Sequence, residues 1–215
     1  MGIAERKERE KLQRRNDIID AAERIFFSKG YDNSTMDEVA AEVELSKGTL
    51  YLYFKSRDDL TFAIFMRGSD ILMKMMDDII DKEEDGYGNL LGLAAAFIRF
   101  SREYPDYFNL FMHFESNRMK DLNINQEQIQ IYLREQSPLA QVGRQVEKGM
   151  KDGSLRNDLS SEVFSATLWS QMLGVLIVLN NKADLYEIFD LKADEILQTH
   201  LELVSSGGRG MQNKT

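Results

Sequence analysis

The chain contains no cysteine and only two prolines, Pro105 and Pro138, among its 215 residues. Without cysteine it can form neither a disulfide nor a thiolate metal site, and nothing in its composition favours secretion. No apolar run approaches the roughly 18 to 20 residues that a membrane helix needs, and the charged N-terminus lacks the apolar core of a signal peptide. We therefore expect a cytoplasmic protein with no membrane partner.

Residues that build enzyme active sites are also scarce. The chain has two histidines, no serine-centred elbow and no phosphate loop. The run from Gly86 to Gly92 approaches a dinucleotide fingerprint, but its last glycine comes one residue late and an acidic helix precedes it. Adjacent acids such as Asp77 and Asp78 do not face one point on a helix, so they favour a solvated face over a metal site. The sequence predicts no enzyme, no catalytic residue, no cofactor and no metal.

Positive charge is in deficit overall but unevenly distributed. The net charge is −9, yet residues 1–57 hold 11 basic and 11 acidic residues, so all of the excess acid lies beyond them. Two patches are basic, and they consist of Lys47, Lys55 and Arg57, and of Lys11, Arg14 and Arg15. The overall charge argues against a polyanionic partner, whereas the two patches favour one locally.

Apolar residues recur at spacings of three and four, which predicts an all-α fold. Helix one carries such a stripe and ends at Lys29 and Gly30. Helix two begins at a capping box formed by Thr35 and Glu38 and is short. A tight turn at Glu44 and Leu45 precedes a third helix, for which Ser46 is the expected N-cap. Ser56 caps a long fourth helix, and the remaining helices are expected at about 89–103, 105–116, 126–152 with a break at Ser137–Pro138, 161–180 and 192–204.

The third helix carries an unusual exposed face. On a helical wheel Leu50 and Phe54 share the side of the apolar stripes, while the other side carries Gly48, Thr49, Tyr51 and Leu52. Such a short, capped helix after a tight turn is typical of a DNA-recognition helix. Glycine permits close approach to a backbone, hydroxyls can donate to phosphates or base edges, and Leu52 can contact a thymine methyl group. The alternative is that Tyr51 and Tyr53 pack in part against the core and the charges form a solvated rim; the order of the capped elements favours DNA recognition.

The segment AAERIFFSKGYDNSTMDEVAAEVELSKGTLYLYFKSRDDL, residues 21–60, resembles the N-terminal domain of TetR-type transcriptional regulators. The pieces G-Y, T-x-x-x-V-A, S-K-G-T-L-Y-x-Y-F and K-S-R-D-D-L carry the resemblance. It implies a homodimer, most often a repressor released by a small ligand. It also implies a left-handed turn at Glu44, where the family usually has glycine, at a cost of up to about 1 kcal/mol. The implied DNA contacts are Thr35, Ser46, Lys47, Gly48, Thr49, Tyr51, Leu52, Tyr53, Lys55 and Arg57.

The resemblance also gives a domain plan. We expect a helix-turn-helix domain over residues 1–57, of which 1–15 are flexible or extend helix one. A helical effector-binding and dimerisation domain then covers residues 58–204, and a disordered tail covers residues 205–215. The expected partners are double-stranded DNA, a second copy of the chain and a small molecule.

Residues 163–179 are apolar around nearly the whole helix, so this helix must be covered on every side. Its own domain can supply that cover, but the resemblance favours a dimer in which it packs with the last helix. The interface residues expected are Leu168, Gly174, Val175, Val178, Leu197, Leu201 and Val204. An effector pocket for an apolar or amphipathic ligand is expected among Phe97, Phe100, Phe108, Phe111, Met112, Trp169 and Met172, although any one of them can equally be plain core. The remaining alternative is a ligand-binding helical dimer that has lost specific DNA binding.

Overall fold

The computed structural model describes residues 2–31, 33–80, 85–116, 123–181, 186 and 188–210. These residues form an all-α fold, which confirms the prediction. The helices are α1 Ile3–Lys29, α2 Met36–Glu42, α3 Lys47–Tyr53, α4 Arg57–Ile80, α5 Gly86–Glu103, α6 Pro105–Ser116, α7 Gln126–Ile131, α8 Pro138–Asp152, α9 Ser161–Asn181 and α10 Ala193–Gly208. A π-helical turn, Tyr132–Gln136, and the N-cap Ser137 separate α7 from α8, at the break that the sequence predicts.

The chain forms two compact units. The head consists of residues 1–68 and 109–129, and the body consists of residues 69–108 and 130–215. The sequence placed a boundary after residue 57, whereas the head extends through the first half of α4 and also includes most of α6.

Local hydrogen bonds define α2 and α3. The Glu38 backbone N–H donates to Thr35 Oγ1 at 3.2 Å, and the Thr35 N–H donates to Glu38 Oε2 at 2.9 Å, which completes the expected capping box. The Thr49 N–H donates to Ser46 Oγ at 3.1 Å. Between the helices Glu44 has φ 54°, so the left-handed turn is kept without glycine. Both helices therefore end and begin where the sequence indicates.

The head has a continuous apolar core. Leu50 of α3 is fully buried, together with Ile18 and Ala22 of α1 and Val39 of α2. An aromatic cluster joins α4 to α6, and it consists of Phe62, Phe65, Phe111 and Phe114. This packing fixes α3 by one side only, so its other side faces outward.

In the body, the backbones of α5 and α8 touch. A Cβ atom placed on Gly86 would lie 2.2 Å from the Gly149 nitrogen, so only glycine fits there. Near this crossing the Asn89 side-chain amide donates to Gln145 Oε1 at 2.7 Å inside the core. The two helices are therefore held together at this end by both close backbone approach and a buried hydrogen bond.

Helix α9 corrects the expectation about apolar runs. Its 21 residues have a mean hydropathy of 1.6 over an 18-residue window, so by length and composition alone it could cross a membrane. The core helix of a soluble protein meets the same criterion, and α9 packs against α5, α8 and α10. We interpret α9 as a core helix with one uncovered side.

At the two ends of the chain the structure agrees with one expectation and contradicts another. Helix α1 begins at Ile3, so residues 3–15 extend helix one, which is one of the two expected alternatives. At the other end α10 continues to Gly208, and the Gly210 N–H donates to the Ser154 carbonyl at 3.2 Å. The predicted disordered tail is therefore wrong for residues 205–210, while residues 211–215 lie outside the described residues.

Candidate nucleic-acid interface

The outward face of α3 is small, apolar and aromatic. Leu52 is 74% exposed and Tyr51 is 37% exposed, while Leu50 on the opposite side is completely buried. Gly48 and Tyr53 lie on the same helix, the first exposed and the second half-buried. The nearest atom to a Cβ placed on Gly48 is Ser46 Oγ at 3.9 Å, so the protomer itself does not require glycine there. The missing side chain leaves room for something that approaches from outside.

Three predicted contact residues already make hydrogen bonds within the head, and two of them are helix caps. Thr35 caps α2 and Ser46 caps α3, and the hydroxyls of Ser46 and Thr49 are 2.8 Å apart. Thr35 and Ser46 are exposed, and Thr49 is half-buried. A hydroxyl oxygen has two lone pairs and one proton, so each group can still make at least one further hydrogen bond. Because Thr35 Oγ1 already donates to Glu38 Oε2 at 3.1 Å, its further hydrogen bond is one that it accepts.

Lys55 and Lys47 present positive charge at the edges of this face. Lys55 is exposed and makes no ion pair with any residue that the structure describes, while its backbone N–H donates to Asp59 Oδ2 at 2.8 Å. The Lys47 ammonium lies 2.8 Å from Asp37 Oδ1, and its hydrogen bond to Asp37 raises the Lys47 pKa. An exposed pair of this kind is weak, so Lys47 can exchange Asp37 for a phosphate.

Arg57, a predicted DNA contact, already has partners within the head. Its guanidinium lies 4.2 Å from the centre of the Tyr31 ring and donates to the Ser34 carbonyl at 3.2 Å. The Tyr31 hydroxyl donates to Asp58 Oδ1 at 2.7 Å; burial raises the Tyr31 pKa, and this hydrogen bond raises it further. Arg57 therefore ties the α1–α2 connection to the start of α4, and a phosphate contact would compete with that role.

Sequence reasoning missed the roles of Tyr31 and Asp58 in this junction. Tyr31 belongs to the G-Y piece that supports the resemblance, but no local pattern shows that its ring carries Arg57. Because the partners are 26 residues apart in the chain, only the folded head reveals the contact.

The body contains an apolar cavity of about 80 Å³. Phe97, Trp169 and Met172 line it as predicted, and the Phe97 and Trp169 rings stack with centres 5.1 Å apart. Phe100 and Phe108 are buried in the same unit but do not line the cavity. Phe111 and Met112 belong to the head, so the structure does not bring them to this cavity. The lining residues that the sequence prediction missed include Met76, Leu93, Leu155, Phe164 and His200.

The cavity is chemically uniform. Tyr87, His200 and Ser205 are its main polar side chains, and among the described residues no Lys, Arg, Asp or Glu lines it. Partial burial lowers the pKa of His200, which favours the neutral imidazole. The cavity therefore suits an apolar group with at most one or two hydrogen-bonding atoms.

An open groove lies along α9 and α10. Of the predicted interface residues, Leu168, Gly174, Val175 and Val204 line this groove. Val178 is exposed, but Leu197 is buried in the protomer and Leu201 lines the cavity instead. Two apolar side chains outside the predicted set also line the groove, Val163, which is 61% exposed, and Leu203, which is 69% exposed. The outward side of α9 and α10 is thus more apolar than the sequence alone indicated.

Comparison with known proteins shows which proteins this chain is similar to. The profile described as bacterial regulatory proteins, tetR family, matches residues 18–64, which include all of α2 and α3. The chain is 26% identical over 145 residues to an uncharacterized HTH-type transcriptional regulator of Bacillus subtilis, YhgD, covering 67% of this chain and 73% of that protein. It is 33% identical over 66 residues to the fatty acid metabolism regulator protein of the same organism, covering 30% of this chain and 34% of the relative. The chain spans about half or less of the length of several other curated regulators that it matches.

Solved structures share this fold over most of the chain. A transcriptional regulator of the TetR/AcrR family from Thermobifida fusca superposes with a TM-score of 0.60 at 26% identity, covering 91% of this chain and 98% of that one. The matched proteins are DNA-binding regulators of transcription and not enzymes. With a capped α2, a left-handed turn and an α3 fixed by one side only, residues 18–64 match the TetR family of bacterial regulatory proteins, and the chain is similar over most of its length to HTH-type transcriptional regulators.

Proposed function

We propose that the protein is a homodimeric, cytoplasmic repressor that binds a palindromic operator and leaves it when an apolar or amphipathic molecule enters the body cavity. The observation that carries the proposal is the exposed face of α3. Gly48, Tyr51 and Leu52 form a contact surface, and Lys55 lies beside it without an ion-pair partner among the described residues. Such a face matches base edges in a major groove, with the cation placed for a phosphate.

The groove along α9 and α10 supports a second copy as partner. Val163 and Leu203 are large apolar side chains left in solvent, and the Cβ position of Gly174 has no neighbour within 4 Å. A helix that is apolar all round needs cover on each side, and the protomer leaves this side open. Two copies joined here would place two α3 helices on one duplex, which is how a dimer reads a palindrome.

The cavity supports an apolar effector. Its volume of about 80 Å³ is small for a ligand, so an effector must enlarge it by separating the helices around it. Such a ligand binds the opened body better than the closed one, which is the differential affinity that any ligand-driven switch requires. Fatty acyl chains are the first class to test, because they are apolar and a fatty acid metabolism regulator is among the relatives.

Helix α4 is the proposed lever. It is continuous from Arg57 to Ile80, and Met76 lines the cavity in the body. At its beginning Arg57 holds Tyr31 and Ser34 in the head. A shift of Met76 on ligand entry would therefore reach the helix-turn-helix through one element. Operator affinity measured with and without an identified ligand tests this step, and unchanged affinity would refute it.

The direct test of the whole proposal is selection of bound fragments from sheared genomic DNA of the source organism, followed by sequencing. The wild-type protein should enrich one short palindrome upstream of a few genes. The matched control is the double variant Tyr51→Ala/Leu52→Ala, whose side chains are exposed and whose helical circular dichroism should be unchanged. Equal enrichment by both proteins, or none by a folded wild type, would contradict the proposal and favour a ligand-binding dimer without specific DNA binding.

The dimer has its own test. Gly174→Leu adds a side chain that meets open space in the protomer but blocks the groove, so we expect a monomer in sedimentation with unchanged helix content. Ala166→Leu is the matched control, because Ala166 is exposed on the same helix but does not line the groove. A Gly174→Leu protein that still sediments as a dimer would place the interface elsewhere.

A further inference from the structure

The first half of α1 projects as a helical arm. We call residues 2–15 the arm; all of them are exposed, and burial begins only at Ile18. At 1.5 Å per residue the helical part of the arm is about 20 Å long. It is held by its own bonds: the Gly2 N–H donates to Glu5 Oε2 at 2.9 Å, and the Arg6 guanidinium donates to Glu10 Oε1 at 2.7 Å. A helix whose surface is mostly polar and that covers no core needs another reason to extend so far.

Charge on the arm is segregated. The arm holds six Lys and Arg against three Glu, a net charge of +3 in a chain of net charge −9. Lys7, Lys11 and Arg14 recur at i, i+4 and i+7, and Arg15 adjoins them, so these four occupy an arc of about 100°. We call these four residues the basic stripe. The three glutamates project outside this arc, and Lys7, Lys11 and Arg14 make no ion pair with any described residue.

The basic stripe faces the same way as the buried side of α1. Ile18 and Ala22 continue its series at i+11 and i+15, and both are fully buried against the helix-turn-helix. The stripe also touches the end of α3, because the Arg15 guanidinium lies 4.8 Å from the centre of the Phe54 ring, and Phe54 caps that helix. Four cations therefore line up along a rod that starts at the recognition helix and points away from the core.

We propose that the basic stripe binds DNA phosphates flanking the bases that α3 reads, and so lengthens the operator beyond the helix-turn-helix footprint. The inference rests on the proposed operator binding. An arm of about 20 Å follows roughly six base pairs of duplex, and phosphates at that spacing offer more partners than the stripe has cations. The contacts add affinity and salt dependence without reading sequence.

The test compares two double variants that remove the same charge from different sides of the arm. Lys7→Gln/Lys11→Gln removes two stripe residues, whereas Arg6→Gln/Arg9→Gln removes two cations outside the arc. Binding is measured by fluorescence anisotropy between 50 and 300 mM salt, on the selected operator with ten flanking base pairs each side and on the operator trimmed to its palindrome. Circular dichroism checks that the arm stays helical.

The stripe variant should lose roughly eightfold in affinity for each phosphate contact at 0.1 M salt, with a salt slope shallower by about two per protomer on the long duplex. The control variant should change far less, and trimming the flanks should remove the difference between the stripe variant and wild type. Equal losses by the two variants, or a stripe effect that survives trimming, would overturn the inference. Binding to a random-sequence duplex distinguishes the two proposals. A wild-type protein that binds it as tightly as the operator refutes operator binding. The effect of the stripe variant on long duplexes can still be measured in that case.

Discussion

The substitution Gly48→Ala tests separately whether the folded protomer and the operator complex require glycine at this position. Gly48 lies in the first turn of α3, and a Cβ there would have only Ser46 Oγ within 4 Å, at 3.9 Å. That distance is ordinary van der Waals contact, so the folded protein loses nothing. Alanine also forms helices better than glycine by about 1 kcal/mol. We therefore expect the variant to unfold with a free energy higher by about 0.5 to 1 kcal/mol.

The same methyl group should weaken DNA binding. If α3 approaches the duplex closely at Gly48, an added methyl group overpacks the contact, which typically costs about 1 to 3 kcal/mol. This corresponds to a loss of roughly 5- to 150-fold in operator affinity for each recognition helix. Stability and affinity should thus move in opposite directions with one substitution.

Urea denaturation and anisotropy on the operator duplex measure the two quantities on the same preparation. Leu52→Ala is a useful companion, because it removes an exposed side chain from the same helix and adds no bulk. A Gly48→Ala protein that is less stable than wild type would show that the head itself requires the glycine. One that binds the operator with wild-type affinity would refute close approach at this point of α3.

Three further predictions concern stability. Glu44→Gly should raise the free energy of unfolding by up to about 1 kcal/mol in urea titrations, because Glu44 has φ 54°, and no gain would mean that the turn is unstrained. Gly86→Ala should lower the free energy of unfolding by about 3 kcal/mol, because the new Cβ would lie 2.2 Å from the Gly149 nitrogen. An unchanged free energy of unfolding would show that α5 and α8 can move apart at this crossing without cost. Burial lowers the pKa of His200 in the folded protein, so its contribution to stability is present above the unfolded value near 6.5 and is lost as the pH falls further. The variant His200→Gln should therefore show a smaller drop in urea midpoint between pH 7.5 and 5.5 than the wild type. An unchanged drop would contradict this.

The features that the sequence predicted well are local. The caps at Thr35 and Ser46 and the spacing that buries Leu50 depend on neighbours within one or two turns, so the pattern alone identifies α2, α3 and the exposed face. The left-handed residue Glu44 followed from the resemblance at a single turn position. In these places local interactions are enough to specify the backbone geometry.

The features that the sequence did not predict depend on distant partners. Ser205 to Gly208 read as a flexible tail because serine and glycine are poor core formers, but the Arg156 N–H donates to the Gly208 carbonyl and extends the order. In α10 both Leu197 and Leu203 are apolar, and only packing shows that the first is buried and the second exposed. Helical periodicity marks an apolar side, but it does not say whether the protomer or a partner covers it.

The glycine crossing of α5 and α8 gives the body a pivot. Gly86 begins α5 and Gly149 lies near the end of α8, so the two helices are pinned at one end of each. Helices that touch through their backbones resist sliding at the crossing, so we expect any opening between them to be a rotation about it. Over the 18 residues of α5, about 26 Å, a rotation of about 5° moves the far end by about 2 Å, while the pinned end stays still. A rotation of this size about Gly86 and Gly149 would therefore shift Glu103 by about 2 Å and change the volume enclosed by the helices of the body.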